Sequence, residues 1–283
     1  MARLQQSKLL IGCSLSLAIS ACLGIFAASS WIWQRASEPK EIQTLRAVLE
    51  RLSRHNDLGH RPINFMVVAG PYAAAAAEER GFCKPENCDF FAHLNPYRQY
   101  NNGWNELMRQ AYAFGDIQAW TFSTGTIAIP QATFRAYGDH NSYLACTLAH
   151  EIAHFKRDHV FRESYHKHHN IEVEDEKVKK IELMRFRQQQ ELEADRDAAE
   201  MVARAGFPGR VCQNDISFSH RSTGNGSATK HDSTHPGYED RLAAMTKHYD
   251  VLEKKPAVAE SGPAALMRYD HNANLLTVLP QSR

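Results

Sequence analysis

The sequence predicts an α+β domain, a helical core around a zinc site beside a small sheet, preceded by an N-terminal membrane helix. Three observations predict it. His150-Glu151-Ile152-Ala153-His154 sets two imidazoles four residues apart within an apolar run. A stretch free of Pro and Gly, Glu174 to Ala205, carries Glu191 and Asp195 at the same spacing. Short β-rich runs occur at Ile63 to Ala69, at Thr121 to Ile129 and near the C-terminus.

The elements follow in order. Leu9 to Trp33 contains no charged residue, and about 25 residues make a helix of roughly 37 Å, enough to cross a bilayer with some tilt. Arg3 and Lys8 precede it, and Trp31 and Trp33 suit the far interface. Ile19-Ser20-Ala21-Cys22 resembles a bacterial lipoprotein processing site, but the apolar run continuing to Trp33 favours an uncleaved anchor. Arg35 and Lys40 leave the orientation open. Glu41 to Arg54, with Ile42, Leu45, Leu49 and Leu52 at helical spacing, reads as an amphipathic helix. Ile63 to Ala69 reads as a buried strand and Ala73 to Ala77 as helical. The Cys, Asn and Gly content up to Gly115 reads as an irregular insertion, in which Cys83 and Cys88 flank a Lys84-Pro85-Glu86-Asn87 turn and can form a disulfide. Thr121 to Ile129, ending at Pro130, suits an edge strand able to pair with an extended peptide. Ser222 to Thr229 is a Ser/Gly-rich loop, Tyr238 to Leu252 a helix, and Ala264 to Tyr269 with Asn274 to Leu279 a hairpin around His271-Asn272.

The chemistry sits on two helices. Asn141 and Ser142 are candidate caps of the first. Along it Leu144, Leu148, Ile152 and Phe155 form an apolar stripe, while Ala145, Ala149 and Ala153 line a close-packing side. Only the His150/His154 sector is left polar, as a metal cleft requires. Both imidazoles can reach one zinc ion, and Glu151, one step round, can hold a water at the open fourth position and act as general base. With 15 His among 283 residues the pentapeptide can arise by chance, so the third ligand matters. A three-histidine site is excluded, because Arg157 and Val160 hold the places where Gly and His would stand. Glu191 can complete the set and Asp195 can accept the second N–H of a ligand histidine. Glu193 and the acidic run Glu172 to Glu176 compete less well. His166, His168 and His169 read as a solvated loop, and His159 as a packing or hydrogen-bonding residue behind the site.

Four pieces in order carry a family resemblance. They are His150 to His154 with His159 five residues on, the Glu191-to-Asp195 motif, Ala205-Gly206-Phe207-Pro208, and Ser233-Thr234-His235-Pro236 with Arg241. The chain resembles the gluzincin metallopeptidases of the HtpX and CAAX prenyl protease type over roughly Ile63 to Lys247, the insertion around residues 80 to 115 excepted. The resemblance implies a zincin-like domain holding one Zn2+ per chain through His150, His154 and Glu191, with Glu151 catalytic and Asp195 orienting a ligand. It also implies that His235 can approach the metal as an extra ligand, and that Arg241 organises the site or stabilises developing negative charge. Without the family, His235 reads as a cap for a helix starting at Pro236 and Arg241 as one half of an ion pair. Where the family often has Asn-Ala-Phe, this chain has Gln118-Ala119-Trp120, which leaves substrate preference open.

Composition bounds the partners. A formal net charge of +1 gives no electrostatic footprint for nucleic acid, so protein or peptide substrates are expected, with membrane lipid met through the anchor. Cys146 and Cys212 read as a buried thiol or a pair, and cysteine usage suits an oxidising, extracytoplasmic compartment. The expected division is an anchor at 1–35, a juxtamembrane helix at 36–62, a metallopeptidase domain at 63–252 and a tail with a hairpin at 253–283. The expected activity is endopeptidase cleavage of unfolded or misassembled envelope proteins. The alternative is a membrane-tethered chaperone or assembly factor with suppressed or secondary proteolysis.

Overall fold

The computed structural model describes residues 38–84, 95–100, 103–169, 175–224, 226–255 and 261–280. The expected anchor and the Cys22 processing site lie outside the described residues. Among those described, no helix is long and apolar enough to cross a membrane. Among the described residues, those from Thr44 onward belong to one compact unit.

The fold is α+β. Nine helices and five strands run α1 (Lys40–His55), β1 (Ile63–Val68), α2 (Pro71–Glu79), α3 (Gly103–Phe114), β2 (Trp120–Thr121), β3 (Thr126–Pro130), α4 (Gln131–Tyr137), α5 (Asn141–Lys156), α6 (His159–His169), α7 (Glu176–Arg204), α8 (Val211–Thr223), α9 (Tyr238–Lys254), β4 (Met267–Asp270) and β5 (Leu275–Val278) among the described residues. The strands form one sheet in the order β2-β3-β1-β5-β4. β1 pairs parallel with β3, setting Phe65 against Ile127, and antiparallel with β5, setting Ile63 against Val278. A central strand shielded on both faces should be largely apolar: Ile63, Phe65, Met66, Val67 and Val68 are all buried, and the one polar residue, half-buried Asn64, accepts from Thr277 Oγ1 of β5 at 2.7 Å.

The run from Thr121 to Ile129 is not one edge strand. It folds into a hairpin, because Gly125 takes φ +81° and donates its N–H to the Phe122 carbonyl at 3.0 Å. A Cβ there would lie 2.9 Å from the Phe155 ring and 3.2 Å from the Pro62 carbonyl, so glycine is required both by the turn and by the close approach. β3 is therefore internal, and Pro130, at its end, opens α4. The sheet edge is the two-residue β2, Trp120 opposite Ala128 and Thr121 opposite Ile127.

The helical layer is built on α5 against α7. α5 is buried almost all round, and its small residues Ala145, Ala149 and Ala153 are 0–1% exposed, as are Ala194 and Ala199 of α7; small side chains let the two backbones approach closely. Asp175 caps α7, its side chain accepting from the N–H groups of Lys177 and Val178. Gly206 at φ +70° and the bond from Phe207 N–H to the Val202 carbonyl (3.1 Å) end it. The expected side-chain cap of α5 is absent: His140 occupies that place without a side-chain hydrogen bond, and Asn141 is already helical.

Two segments expected to be irregular are helices. α3 lies within the insertion, burying Leu107 and Ala111 against Ala73 and Ala77 of α2. α6 carries His166, His168 and His169 in its last turn, where His166 stacks on Phe186 with centroids 4.2 Å apart. Cys83 is disulfide-bonded, while Cys88, its expected partner, lies outside the described residues. Cys146 and Cys212 are joined, closing 66 residues and pinning α8 to α5. A cross-link over such a loop stabilises by about 4 kcal/mol in the chain-entropy account. Cys212→Ala is accordingly expected to lower the melting temperature by roughly 10 °C, measured by thermal unfolding under oxidising conditions; a shift under about 2 °C would mean the link restrains nothing.

Candidate metal centre

α5 and α7 bring three potential ligand atoms together. His150 Nε2 lies 3.0 Å from His154 Nε2 and 3.3 Å from Glu191 Oε2, and His154 Nε2 lies 3.5 Å from Glu191 Oε1. A tetrahedral ion with bonds of about 2.0 Å needs ligand atoms about 3.3 Å apart, which these separations match. Glu191 Oε2 is buried and faces two imidazole nitrogens, His150 Nε2 at 3.3 Å and His235 Nε2 at 3.5 Å, a setting that a cation shared with the rings would complete. The residues present fit a zinc ion. Among the described residues, His150, His154 and Glu191 are the group so arranged; the histidines at the end of α6 form no second one.

The electrostatics point the same way. Burial opposes a charge on His150, yet Asp195 and Glu191 outweigh it and raise the ring's pKa to about 10. Burial also opposes the Glu191 charge, and the two imidazoles overcome it to hold that carboxyl well below its ordinary range. With Asp195 already paired to Arg241, Glu191 is the buried acid whose charge rests on the two imidazoles, a demand that a divalent ion shared with them can meet.

A scaffold stands behind each ligand. Asp195 Oδ1 sits 2.9 Å from His150 Nδ1, leaving Nε2 to face the cluster. Arg241 grips Asp195 with two bonds, Nε to Oδ2 at 2.8 Å and Nη2 to Oδ1 at 2.6 Å. Burial favours the neutral acid there, but the guanidinium prevails and depresses the Asp195 pKa. Arg241 therefore acts on the cluster through Asp195. On the other side His159, 2% exposed, sets Nδ1 2.9 Å from His154 Nδ1 and Nε2 3.4 Å from Glu193 Oε2. Burial first, then the neighbouring positive charges, lower its pKa, so a neutral ring can fix the His154 tautomer.

Glu151 is 8% exposed and stands outside the three-ligand cluster. The Thr121 hydroxyl, at the sheet edge, lies 2.6 Å from Glu151 Oε2 and 2.9 Å from the Glu151 carbonyl. This contact ties β2 to α5 and holds the carboxylate beside the ligands. Nothing in the sequence pattern signals it, because the partners are 30 residues apart on different elements.

His235 reaches the rim. Thr234 Oγ1 holds its Nδ1 at 2.8 Å, and Nε2 lies 3.5 Å from Glu191 Oε2. It does not cap a helix at Pro236, since α9 begins at Tyr238 with Gly237 before it. The Ser/Gly-rich loop is pinned at that same point: Gly237 N–H donates to Thr229 Oγ1 at 2.7 Å and Glu239 N–H to the Ser227 carbonyl at 2.9 Å. A cavity of about 660 Å³ opens on the cluster, bounded by β2, α5, α7, α8 and α9.

Compared with protein-family models, curated proteins and solved structures, the chain finds no match.

Proposed function

We propose that the chain is a zinc metalloendopeptidase of the gluzincin type, anchored at a membrane and cutting unfolded or misassembled proteins outside the cytoplasm. The observation that carries this reading is the convergence of His150, His154 and Glu191 beside a buried Glu151 held by Thr121. His150, His154 and Glu191 would hold the ion, which when bound acidifies a water and polarises a carbonyl.

The remaining chemistry belongs to the chain's own residues. Glu151 accepts a proton from the attacking water and passes it to the leaving amine. Because Thr121 occupies Oε2, Oε1 is the oxygen left to take the proton, and the same bond keeps the carboxylate from swinging into the ligand set. Asp195 and His159 fix the ring orientations, with Arg241 holding Asp195. β2 has one sheet partner, β3. Its outer edge offers main-chain hydrogen bonds to an extended polypeptide next to Glu151, an arrangement tolerant of many sequences.

The uncharged run from Leu9 to Trp33 supports the anchor, and the Cys146–Cys212 disulfide supports an oxidising compartment. The envelope-protein substrates rest on the motif resemblance. One observation favours a second reading: His235 Nε2 lies 3.5 Å from Glu191 Oε2, where it can hinder the open position and leave a client-holding cleft with suppressed proteolysis.

The deciding experiment measures bound metal and the cleavage of an unstructured protein such as reduced casein. One zinc per chain, activity lost on chelation and regained with added zinc is the expected result. A zinc-loaded protein that protects clients and cuts nothing tried would support the holding reading instead.

A further inference from the structure

The cavity beside His150 and Glu191 extends past them between α5, α8 and α9. At about 660 Å³ it falls in the size range of small-ligand sites, far more than an ion and a water need. Its far wall is polar, with Tyr137, Thr147, Asp215 and Ser219 among the lining side chains.

Asp215 stands out among them. It is 8% exposed, and its Oδ1 is buried without a hydrogen-bond partner. The Tyr137 hydroxyl, 2.8 Å from Thr147 Oγ1, hydrogen-bonds the carboxylate, and burial still pushes the acid up to about 7. The nearby Arg241 charge tempers that rise without cancelling it, and the guanidinium's Nε and Nη2 are both bound to Asp195. Arg241 is ion-paired to Asp195, so Asp215 is the buried acid of the chamber with a charged neighbour but, among the described residues, no basic group bonded to it. Its place is built in: Cys146 lies one turn before His150, Cys212 one turn before Asp215, and the disulfide joins the two. A buried carboxylate oxygen with no protein partner is destabilising, and one that lines an open chamber is placed to be completed by what enters it, solvent or ligand.

We propose that Asp215 is a specificity residue, receiving the basic side chain of a lysine or arginine that flanks the bond to be cut. This rests on the metallopeptidase reading for the ligand being a polypeptide. Main-chain pairing at β2 would then hold any extended chain, while the chamber selects which bond is presented.

The test uses the full-length, zinc-loaded chain carrying Glu151→Gln, so that peptides bind without turnover. The probes are ten-residue Ala/Ser/Gly peptides identical except for one central lysine, ornithine, norleucine or glutamate, with binding read by fluorescence anisotropy. The lysine peptide is expected to bind at least tenfold tighter than its norleucine twin, a ratio that falls to within twofold when Asp215→Asn is added. Asp215→Lys is expected to favour the glutamate peptide. Equal binding of lysine and norleucine peptides, or a ratio unmoved by Asp215→Asn, overturns the proposal. If Asp215→Asn does not fold, Asp215→Glu decides: lengthening the acid by one methylene should shift the preference from lysine to ornithine, and an unshifted preference overturns it. Selectivity in binding with no cleavage of any peptide by the parent protein would sink the peptidase reading and leave the role of Asp215 standing.

Discussion

Glu151→Gln is expected to retain one zinc per chain while cleaving peptides slower by roughly 10³-fold, within the span general acid–base groups contribute. The retention follows from geometry. Glu151 is not among the three convergent ligand residues, and a glutamine keeps an oxygen able to accept from Thr121 Oγ1, now 2.6 Å from Oε2. The loss follows from chemistry, since an amide cannot take up a proton at neutral pH and return it to the leaving amine. Metal content by mass spectrometry and initial rates on a quenched peptide are the paired measurements. If both fall together, Glu151 is a structural or ligand residue. If the rate stays within tenfold of the parent, proton transfer is carried by another group.

The parts of this fold legible in the sequence are those where burial imposes a period. Ile42, Leu45, Leu49 and Leu52 announce α1, the Leu144-to-Phe155 stripe announces α5, and the two short runs either side of His271-Asn272 announce the β4–β5 hairpin. α6 escapes because His159 is its one buried residue, so no stripe exists to be read. α3 escapes because its apolar positions sit among Cys-, Asn- and Gly-rich neighbours. The Thr121 to Pro130 run misleads for another reason: β-favouring residues lie on both sides of Gly125, and that one glycine at positive φ turns it into a hairpin with an internal second strand.

The same physics divides the site. His150 and His154 share a helix face by spacing, as do Glu191 and Asp195, so their grouping needs only one tertiary contact, α5 on α7. Thr121 and Asp215 enter the site through packing between elements distant in sequence. No periodicity encodes such contacts. Asp215 in particular reads locally as an ordinary helix residue, and only its depth in the structure distinguishes it.

Glu191→Gln is expected to weaken zinc binding more than 100-fold, beyond the roughly 10–100-fold typical of losing an outer hydrogen-bond partner. Two things are removed at once. The amide cannot supply the negative charge that offsets a divalent ion in a buried site, and its NH2 group turns one of the two oxygen positions facing His150 and His154, at 3.3 and 3.5 Å, into a donor. Asp195→Asn should fall inside the 10–100-fold range, because Asp195 touches the cluster only through His150 Nδ1 at 2.9 Å. His235→Ala should change affinity only a few-fold, its side chain being 60% exposed and outside the convergent trio. Competition with a chromophoric chelator measures all three on one scale. The ranking discriminates more sharply than any single value. Were His235→Ala to cost as much as Glu191→Gln, the ion would sit at the rim between His235 and the two histidines, and the position proposed for the attacking water would be filled by protein. If Asp195→Asn proved as severe as Glu191→Gln, Asp195 would have to be counted a ligand, and Arg241, which grips both its oxygens, would have to release it when the metal binds.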